Sequence, residues 1–347
     1  MKFPEIPAVD TEKRREALIR QNQLTKPEGS LGILENLSID LAGMTGNIFP
    51  DLSQRAVFVF AADHGIASEG VSAYPPEVTP QMVLNFLNDG AAVNVVSDFT
   101  HTKVIVTDVG VNYDFHNCAG MNHRKIARGT ANILHGPAMT REQAELAVSI
   151  GMEIAAAEAQ NGLQLAAAGE VGIGNTTASA AITALLCSCP VREVTGRGTG
   201  LDDAGLEKKI AAIEQALAVN QPNRNDPMDI LSKIGGFEIG AMAGAAIECA
   251  SHRIPFVMDG LIATAAASLA VMMDPGVKDY LIAGHLSPEI GHIRLLKRLG
   301  KTPLLQLNMR VGEGSGAVLS FAVIDAAEKL IAQMATFESA HVADRKA

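Results

Sequence analysis

The sequence is poor in several residue types, and each shortage narrows what the protein can be. Among its 347 residues there are no tryptophans, three tyrosines and four cysteines. The cysteines form one C-x-C pair and no C-x-x-C pair, a spacing that fits neither a zinc site nor a disulfide framework. We expect them to be small buried hydrophobic residues in a reducing compartment: Cys118, Cys187, Cys189 and Cys249.

Positive charge and long hydrophobic runs are also scarce. The formal net charge is −10, and the one cluster of basic residues is Lys13-Arg14-Arg15, so no nucleic-acid partner is expected. The N-terminus, MKFPEIPAVDTEKRR, has no apolar run of the signal-peptide kind. The stretch LIATAAASLAVMM at 261–273 is too short to span a bilayer. The sequence therefore predicts a cytoplasmic protein without a membrane partner, in which residues 261–273 form a buried helix.

Short apolar runs alternate along the chain with longer helical patterns. These runs are apolar throughout instead of alternating with polar residues, which is typical of a parallel sheet covered on both faces. The sequence therefore predicts an α/β fold, doubly wound, with a mainly parallel sheet and helices on both faces. The runs lie at 56–63, 103–110, 163–172, 254–260, 280–285 and, as a further candidate, 303–308.

The segments between these runs have the character of helices. Residues 80–99, 140–162 and 206–219 are examples, and Thr140 with Gln143 three residues later is a helix start signal. The two chain ends are helical as well and more charged than the middle. We therefore predict a large α/β domain over 25–295 and a smaller, mainly helical domain from 1–24 and 296–347.

Polar or glycine-rich residues follow five of the strand-like runs. The endings are Asp63-His64-Gly65, Asp108-Val-Gly110, the segment GEVGIGNTT at 169–177, Asp259-Gly260 and Gly284-His285. In open α/β sheets ligands bind outside the carboxyl ends of the strands. We therefore expect these endings to form one shared site.

Two glycine clusters favour an anion. GEVGIGNTT leads directly into an Ala-rich helix, where backbone N–H groups, threonine hydroxyls and the helix N-terminus can hold a phosphate. GRGTGLDD at 196–203 precedes a helix carrying Lys208 and Lys209, and lysine is a good partner for a phosphate. The spacing lacks the third glycine of a dinucleotide fingerprint. The two clusters therefore predict a phosphate-binding site in which one of the two lysines, Lys208 or Lys209, supplies the positive charge.

Two other functions fit parts of the sequence. Asp63-His64-Gly65 also suits a metal-dependent phosphate mutase or phosphatase, but such a site needs further grouped ligands, and His285 and His292 are not at a familiar ligand spacing. We therefore expect no metal. The second alternative is a regulatory module that binds a nucleotide without turnover, and it leaves Glu313, a carboxylate set between Gly312 and Gly314, without a task.

The ensemble of motifs resembles one family, the nicotinate-nucleotide:dimethylbenzimidazole phosphoribosyltransferases of cobalamin nucleotide-loop assembly. The matching stretches run in the expected order from residue 24 to residue 317, and this collinearity is more specific than any single motif. They are LTKPEGSLGILENL (24–37), AADHGIASEGVSAYPPEVTPQMVLNF (61–86), ARGTANI and GPAMT (within 127–140), GEVGIGNTT (169–177), NQPN (220–223), GGFEIGAMAG (235–244), DGLIATAA (259–266) and MRVGEGSGA (309–317).

The resemblance implies a reaction and a set of site residues. The reaction is transfer of the 5-phosphoribosyl group of nicotinate mononucleotide to 5,6-dimethylbenzimidazole, without a cofactor, by a cytoplasmic homodimer. By the same resemblance Glu313 accepts the acceptor's proton, and Glu170 is a second catalytic glutamate near the ribose. Gly172, Gly198 and Lys209 match phosphate contacts, and Gly174, Asn175 and Thr176 lie in the same segment as Gly172. We call this expected set of phosphate- and ribose-binding residues the phosphate cradle. The wall of the aromatic-base pocket is expected from Tyr74, Pro75 and Met82.

Overall fold

The computed structural model describes residues 1–116 and 118–343. Its strands are β1 (Arg55–Ala62), β2 (Lys103–Gly110), β3 (Met121–His123), β4 (Leu165–Val171), β5 (Phe256–Met258) and β6 (Leu281–Ala283). They form one sheet in the order β3-β2-β1-β4-β5-β6, and every pairing is parallel. The strand order therefore reverses between β1 and β4, which is where ligands bind in doubly wound folds.

Helices on both faces of the sheet complete the predicted α/β fold, which is confirmed. The helices of the described residues are α1 (Thr11–Gln23), α2 (Ile33–Thr45), α3 (Val78–Leu87), α4 (Ala92–Phe99), α5 (Arg141–Gln160), α6 (Asn175–Cys187), α7 (Asp203–Asn220), α8 (Pro227–Ile234), α9 (Phe237–Ser251), α10 (Leu261–Met273), α11 (Ile290–Leu299) and α12 (Ser315–Gln333). The predicted buried helix at 261–273 is α10. Across the described residues, no helix has the length and apolar character needed to span a membrane.

The sequence explains why the core packs closely. Seven of the eight residues of β1 are buried, as an apolar strand covered on both faces should be. Small residues line the contact between α5 and α9, where a Cβ added to Gly151 would lie 1.8 Å from the carbonyl oxygen of Ala241. These helices can approach each other at that point only because residue 151 has no side chain.

Three elements differ from the sequence prediction. The helical segment predicted over 80–99 is two helices, because Asp89 has a positive φ of 56° and ends the first of them before Gly90. The short strand β3 was missed, since its residues, MNH, carry no apolar pattern. The predicted strand at 303–308 is wrong: only Leu305 pairs there, through an isolated bridge to His285 at the sheet edge beyond β6.

The cysteines are less uniform than expected. All four are free thiols, but only Cys249 is buried, while Cys118, Cys187 and Cys189 are partly exposed. Burial raises the pKa of the Cys249 thiol, so this group is a poor nucleophile. The prediction of buried structural cysteines therefore holds for one residue of the four.

The two chain ends contact each other. The Arg20 guanidinium of α1 donates to the carbonyls of Ile331 and Met334 at the end of α12, at 3.2 and 2.9 Å. Helix α2 packs against both of these helices, although it lies inside the range predicted for the large domain. Helix α12 also packs on β4 and β5. The division into domains 25–295 and 1–24 with 296–347 stays a prediction, and residues 344–347 lie outside the described range.

Candidate active site

The carboxyl ends of β4, β5 and β6 open into a cavity of about 380 Å³. Segments that follow these strands meet there with residues from three distant parts of the chain. The predicted site residues in its wall are Tyr74, Met82, Glu170, Gly172, Asn175, Thr176, Gly198 and Glu313. The cavity therefore collects both predicted catalytic residues, most of the phosphate cradle and part of the aromatic-base pocket.

Three predicted residues lie outside this wall. Pro75 is exposed on the loop before α3. Gly174 lies beneath the loop after β4, where an added Cβ would be 3.1 Å from the Cβ of His64. Lys209 lies behind Thr176, whose hydroxyl it contacts. Lys209 is thus linked to the cavity wall by its side-chain contact with Thr176.

The end of strand β4 places Glu170 deep in the cavity. Its side chain is buried and accepts a hydrogen bond from the Asn175 amide in the first turn of α6. Burial, followed by the negative charges of Asp259 and Glu238, raises the pKa of Glu170 well above that of an ordinary glutamate. Glu170 is therefore a carboxyl group crowded by other acids, whose ionisation a nearby positive charge would favour.

The turn that carries Glu313 has an unusual backbone. Gly312, Glu313 and Gly314 all have positive φ values, 77°, 65° and 90°, a region that a glutamate adopts only at a cost. The turn is held close to β4, since a Cβ on Gly169 would lie 1.9 Å from the Glu313 carbonyl oxygen. The surrounding structure therefore fixes where this glutamate points.

The Glu313 carboxylate is buried beside the N-terminus of α4. Its Oε2 accepts a hydrogen bond of 3.4 Å from the backbone N–H of Val93, in the first turn of that helix. Burial raises the pKa of Glu313, while the Val93 N–H works in the opposite direction. A buried carboxylate with a raised pKa and one weak donor is a stronger base than a solvated glutamate.

Three residues of the phosphate cradle, Thr176, Gly198 and Lys209, form a compact group. Lys209 is 1% exposed, and its Nζ donates to the Thr176 hydroxyl at 2.7 Å. Burial lowers the pKa of Lys209 to about 8. A Cβ on Gly198 would lie 3.0 Å from the Thr176 Oγ1 and 3.1 Å from the Lys209 Nζ. A cation, a hydroxyl and the N-terminus of α6 thus meet around one point, as an anion site requires.

The cavity wall also contains five further polar residues: Asp259, His285, Ser287, Glu289 and Arg310. The Asp259 Oδ1 accepts the N–H of Ala317 at 2.8 Å and lies 3.4 Å from the His285 Nε2. Asp259 thereby satisfies a donor at the N-terminus of α12, directly after the turn that carries Glu313. Asp259 and His285 belong to the strand endings expected at a shared site, and Arg310 lies within the stretch 309–317. Ser287 and Glu289 carry no motif that could have marked them.

Asp63 and His64 do not line this cavity but a second one, of about 300 Å³. The His64 Nε2 lies 2.7 Å from the Glu238 Oε1. Burial opposes the charge on His64, but the Glu238 carboxylate outweighs this effect and raises the pKa of the imidazole. Within residues 1–116 and 118–343, no three His, Cys, Asp or Glu side chains are grouped so that they could hold a metal ion. His64 and Glu238 thus form a buried pair beneath the glycine loop.

Comparisons with known proteins identify relatives along almost the whole chain. A family model described as phosphoribosyltransferase matches residues 6–342. The nicotinate-nucleotide–dimethylbenzimidazole phosphoribosyltransferase of Desulforudis audaxviator is 52% identical over 97% of this chain and 96% of its own. The protein of the same name from Chloroflexus aggregans is 50% identical over 97% and 96%.

Solved structures give the same result. The crystal structure of the nicotinate-nucleotide–dimethylbenzimidazole phosphoribosyltransferase from Thermus thermophilus superposes with a TM-score of 0.92 at 45% identity. The match covers 97% of this chain and 100% of that one. Fold, sequence and length therefore agree along almost the whole chain. The chain belongs to the nicotinate-nucleotide–dimethylbenzimidazole phosphoribosyltransferase family.

Proposed function

We propose that this protein transfers the 5-phosphoribosyl group of nicotinate mononucleotide to 5,6-dimethylbenzimidazole, giving α-ribazole 5′-phosphate and nicotinate. The observation that carries the proposal is the meeting of two buried glutamates, Glu170 and Glu313, with the phosphate cradle around one cavity. The names of relatives about half identical to the chain support the same reaction.

The phosphate cradle binds the donor. The Lys209 ammonium supplies the positive charge, the Thr176 hydroxyl a donor, and the N-terminus of α6 further N–H groups. With the phosphate anchored there, the ribose extends toward Glu170. Hydrogen bonds from the sugar hydroxyls to this carboxylate orient the ring, and its negative charge favours a transition state in which positive charge develops on C1′.

Transfer then replaces one carbon–nitrogen bond by another. The lone pair of an acceptor nitrogen attacks C1′, the bond from C1′ to the pyridinium nitrogen breaks, and its electron pair returns to the ring of nicotinate. The leaving nitrogen becomes neutral, so the balance requires neither a metal nor a cofactor. The acceptor's other ring nitrogen loses its proton to the Glu313 carboxylate, and general-base help of this kind contributes roughly 10²–10⁴-fold to a rate.

Tyr74 and Met82 form the wall against which the flat acceptor ring packs. Tyr74 is 55% exposed at the mouth of the cavity, so its ring can turn onto a bound base without breaking packing elsewhere. Pro75 supports the backbone of this segment from outside the cavity.

The test is incubation of the purified protein with nicotinate mononucleotide and a panel of benzimidazoles, purines and phenols, with the products identified by mass. We expect α-ribazole 5′-phosphate and nicotinate from dimethylbenzimidazole, at the same rate in excess EDTA. Loss of the activity with EDTA would support the metal-dependent alternative around Asp63 and His64. Binding of the nucleotide without any product would support a regulatory module.

We also propose that the protein acts as a cytoplasmic homodimer. Val95 and Phe99 lie one turn apart on α4 and are 65% and 66% exposed, which is unusual for two neighbouring large apolar side chains. A second copy of the chain packed on this surface would cover them. Light scattering on the purified protein measures the mass directly, and a monomer at micromolar concentration contradicts this part of the proposal.

A further inference from the structure

One residue of the cavity wall competes for the phosphate cradle. Glu289 directly precedes α11, and its Oε1 accepts a hydrogen bond of 3.1 Å from the backbone N–H of Gly198. Its second oxygen, Oε2, is buried and makes no hydrogen bond among the described residues. A carboxylate thus takes up a donor of the phosphate cradle while half of its own hydrogen-bonding capacity is unused.

Two further observations describe how this carboxylate is held beside the phosphate cradle. A Cβ on Gly196 would lie 2.0 Å from the Glu289 Oε2, so residue 196 must be glycine for the carboxylate to lie where it does. Glu289 is also the negative charge that acts on the buried Lys209 ammonium. The carboxylate therefore interacts with the same backbone donor and the same cation that a phosphate group needs.

A phosphate dianion and a carboxylate cannot share these groups, because one N–H donor serves one acceptor well and two like charges at short range repel each other. We propose that the Glu289 carboxylate occupies the phosphate cradle when no donor is bound. The donor's phosphate must displace this carboxylate from the Gly198 N–H in order to bind. This inference rests on the proposed function, since it takes the phosphate cradle as the binding place of the nucleotide.

The role has a consequence for specificity. A dianionic phosphate gains enough from the Lys209 ammonium and the helix N-terminus to displace Glu289, whereas a weaker anion does not. The site therefore stays closed to weakly held anions, at the expense of affinity for the true donor. A donor without its phosphate leaves Glu289 in place and does not experience this competition.

The experiment compares E289Q with the wild-type protein. Glutamine keeps the acceptor for the Gly198 N–H but removes the charge. We expect E289Q to bind inorganic phosphate and nicotinate mononucleotide about tenfold more tightly in titration calorimetry, from the loss of one like-charge repulsion. Nicotinate riboside, the same donor without phosphate, should bind both proteins equally. E214Q makes the same change of charge on the exposed face of α7 and should behave as the wild type.

Each other outcome decides the matter. Equal phosphate affinity in E289Q and wild type shows that Glu289 does not compete, and weaker binding of the nucleotide in E289Q shows that Glu289 binds the ligand instead; either result overturns the inference. Tighter binding of the riboside as well points to a general charge effect and also overturns it. Lys209→Ala distinguishes a failure of this inference from a failure of the proposed function. If this variant binds the nucleotide as the wild type does, the phosphate cradle itself is wrongly placed.

Discussion

Two loops of this cavity are built alike and hold their glutamates differently. In the loop after β4, a glycine with positive φ, Gly174, precedes α6; in the loop before α12, Gly314 has the same position relative to its helix. Glu170, at the end of β4 where the first loop begins, accepts a hydrogen bond from Asn175 at the start of α6 and is crowded by other acids. Glu313, in the second, has a strained backbone and one distant donor, Val93.

This difference suits the two glutamates to different tasks in the proposed reaction. A carboxyl group surrounded by negative charge is stabilised when a positive charge approaches, which suits a residue beside the ribose of the donor. A carboxylate held by one weak N–H donor loses little when it accepts a proton, which suits a base. The loop after β4, with Lys209 behind it, therefore serves the donor, and the loop before α12 serves the acceptor.

Glu313→Gln is the strongest test of this division. The substitution keeps the shape and removes the base, so we expect kcat to fall by roughly 10²–10⁴-fold while KM for nicotinate mononucleotide changes little. In the wild type, the rate should rise with pH through the raised pKa of Glu313, since only the ionised form accepts a proton, and this rise should vanish in the variant. A variant that keeps the wild-type kcat with dimethylbenzimidazole shows that Glu313 is not the base.

The contact between the two loops can be broken at Gly169. A methyl group there would lie 1.9 Å from the Glu313 carbonyl oxygen, so Gly169→Ala must shift the turn that carries the base. Because displacement of a catalytic group by about 1 Å can cost 10²-fold, we expect a loss of that order in kcat. Steady-state kinetics and thermal unfolding should be measured together.

Gly151→Ala is the matched control for this substitution. Its methyl group would lie 1.8 Å from the Ala241 carbonyl oxygen, between α5 and α9 and away from the cavity. We expect a similar loss of stability with kcat unaffected. Equal losses of kcat in both variants would mean that the Gly169 substitution acts through stability and not through Glu313.

Lys209 tests the donor side alone. Removing a charge-assisted contact worth about 1.5–3 kcal/mol should raise KM for nicotinate mononucleotide roughly 10–100-fold in Lys209→Ala, with a smaller change in kcat. The pKa of Lys209 is lowered to about 8, so the wild-type ammonium is charged below that pH and neutral above it. KM of the wild type should therefore rise as pH passes 8. Lys208→Ala, on the exposed side of α7, should retain both the wild-type KM and its pH dependence.

The two loops also differ in how far the sequence predicted them. Glu170, Asn175 and Thr176 lie in one contiguous motif at the end of an apolar strand, and strand order brings such ends together. The local pattern therefore predicted an anion-binding loop here, whereas the role of Glu170 came from the family resemblance. The pattern also included Gly174, which precedes α6 with a positive φ of 104° and lies against His64 beneath the loop instead of in the cavity wall.

The loop before α12 needed more than a local pattern. A glutamate between glycines is ordinarily a solvated surface residue, and Glu313 was assigned only through the family resemblance. Its partner Val93 is 220 residues away, and Glu289 reaches Gly198 across 91 residues. Contacts between side chain and backbone at such separations leave no periodicity in the sequence, so the structure alone brings these residues together.

The smallest expected effect is on stability, and it contrasts the two glutamates directly. The pKa of Glu170 is raised on folding, so the wild type loses stability as pH rises above the ordinary glutamate value through the raised one, and Glu170→Gln avoids that loss. We expect the variant to melt about 2 °C higher at pH 8, which corresponds to about 1 kcal/mol in a protein of this size.

Glu313→Gln should gain less, because its carboxylate accepts the Val93 N–H at the start of α4 and stabilises that helix. Thermal unfolding of both variants at pH 5 and pH 8, beside E214Q, measures the difference. A larger gain in Glu313→Gln than in Glu170→Gln would mean that the crowding of acids is around the base and not around the ribose-side carboxyl.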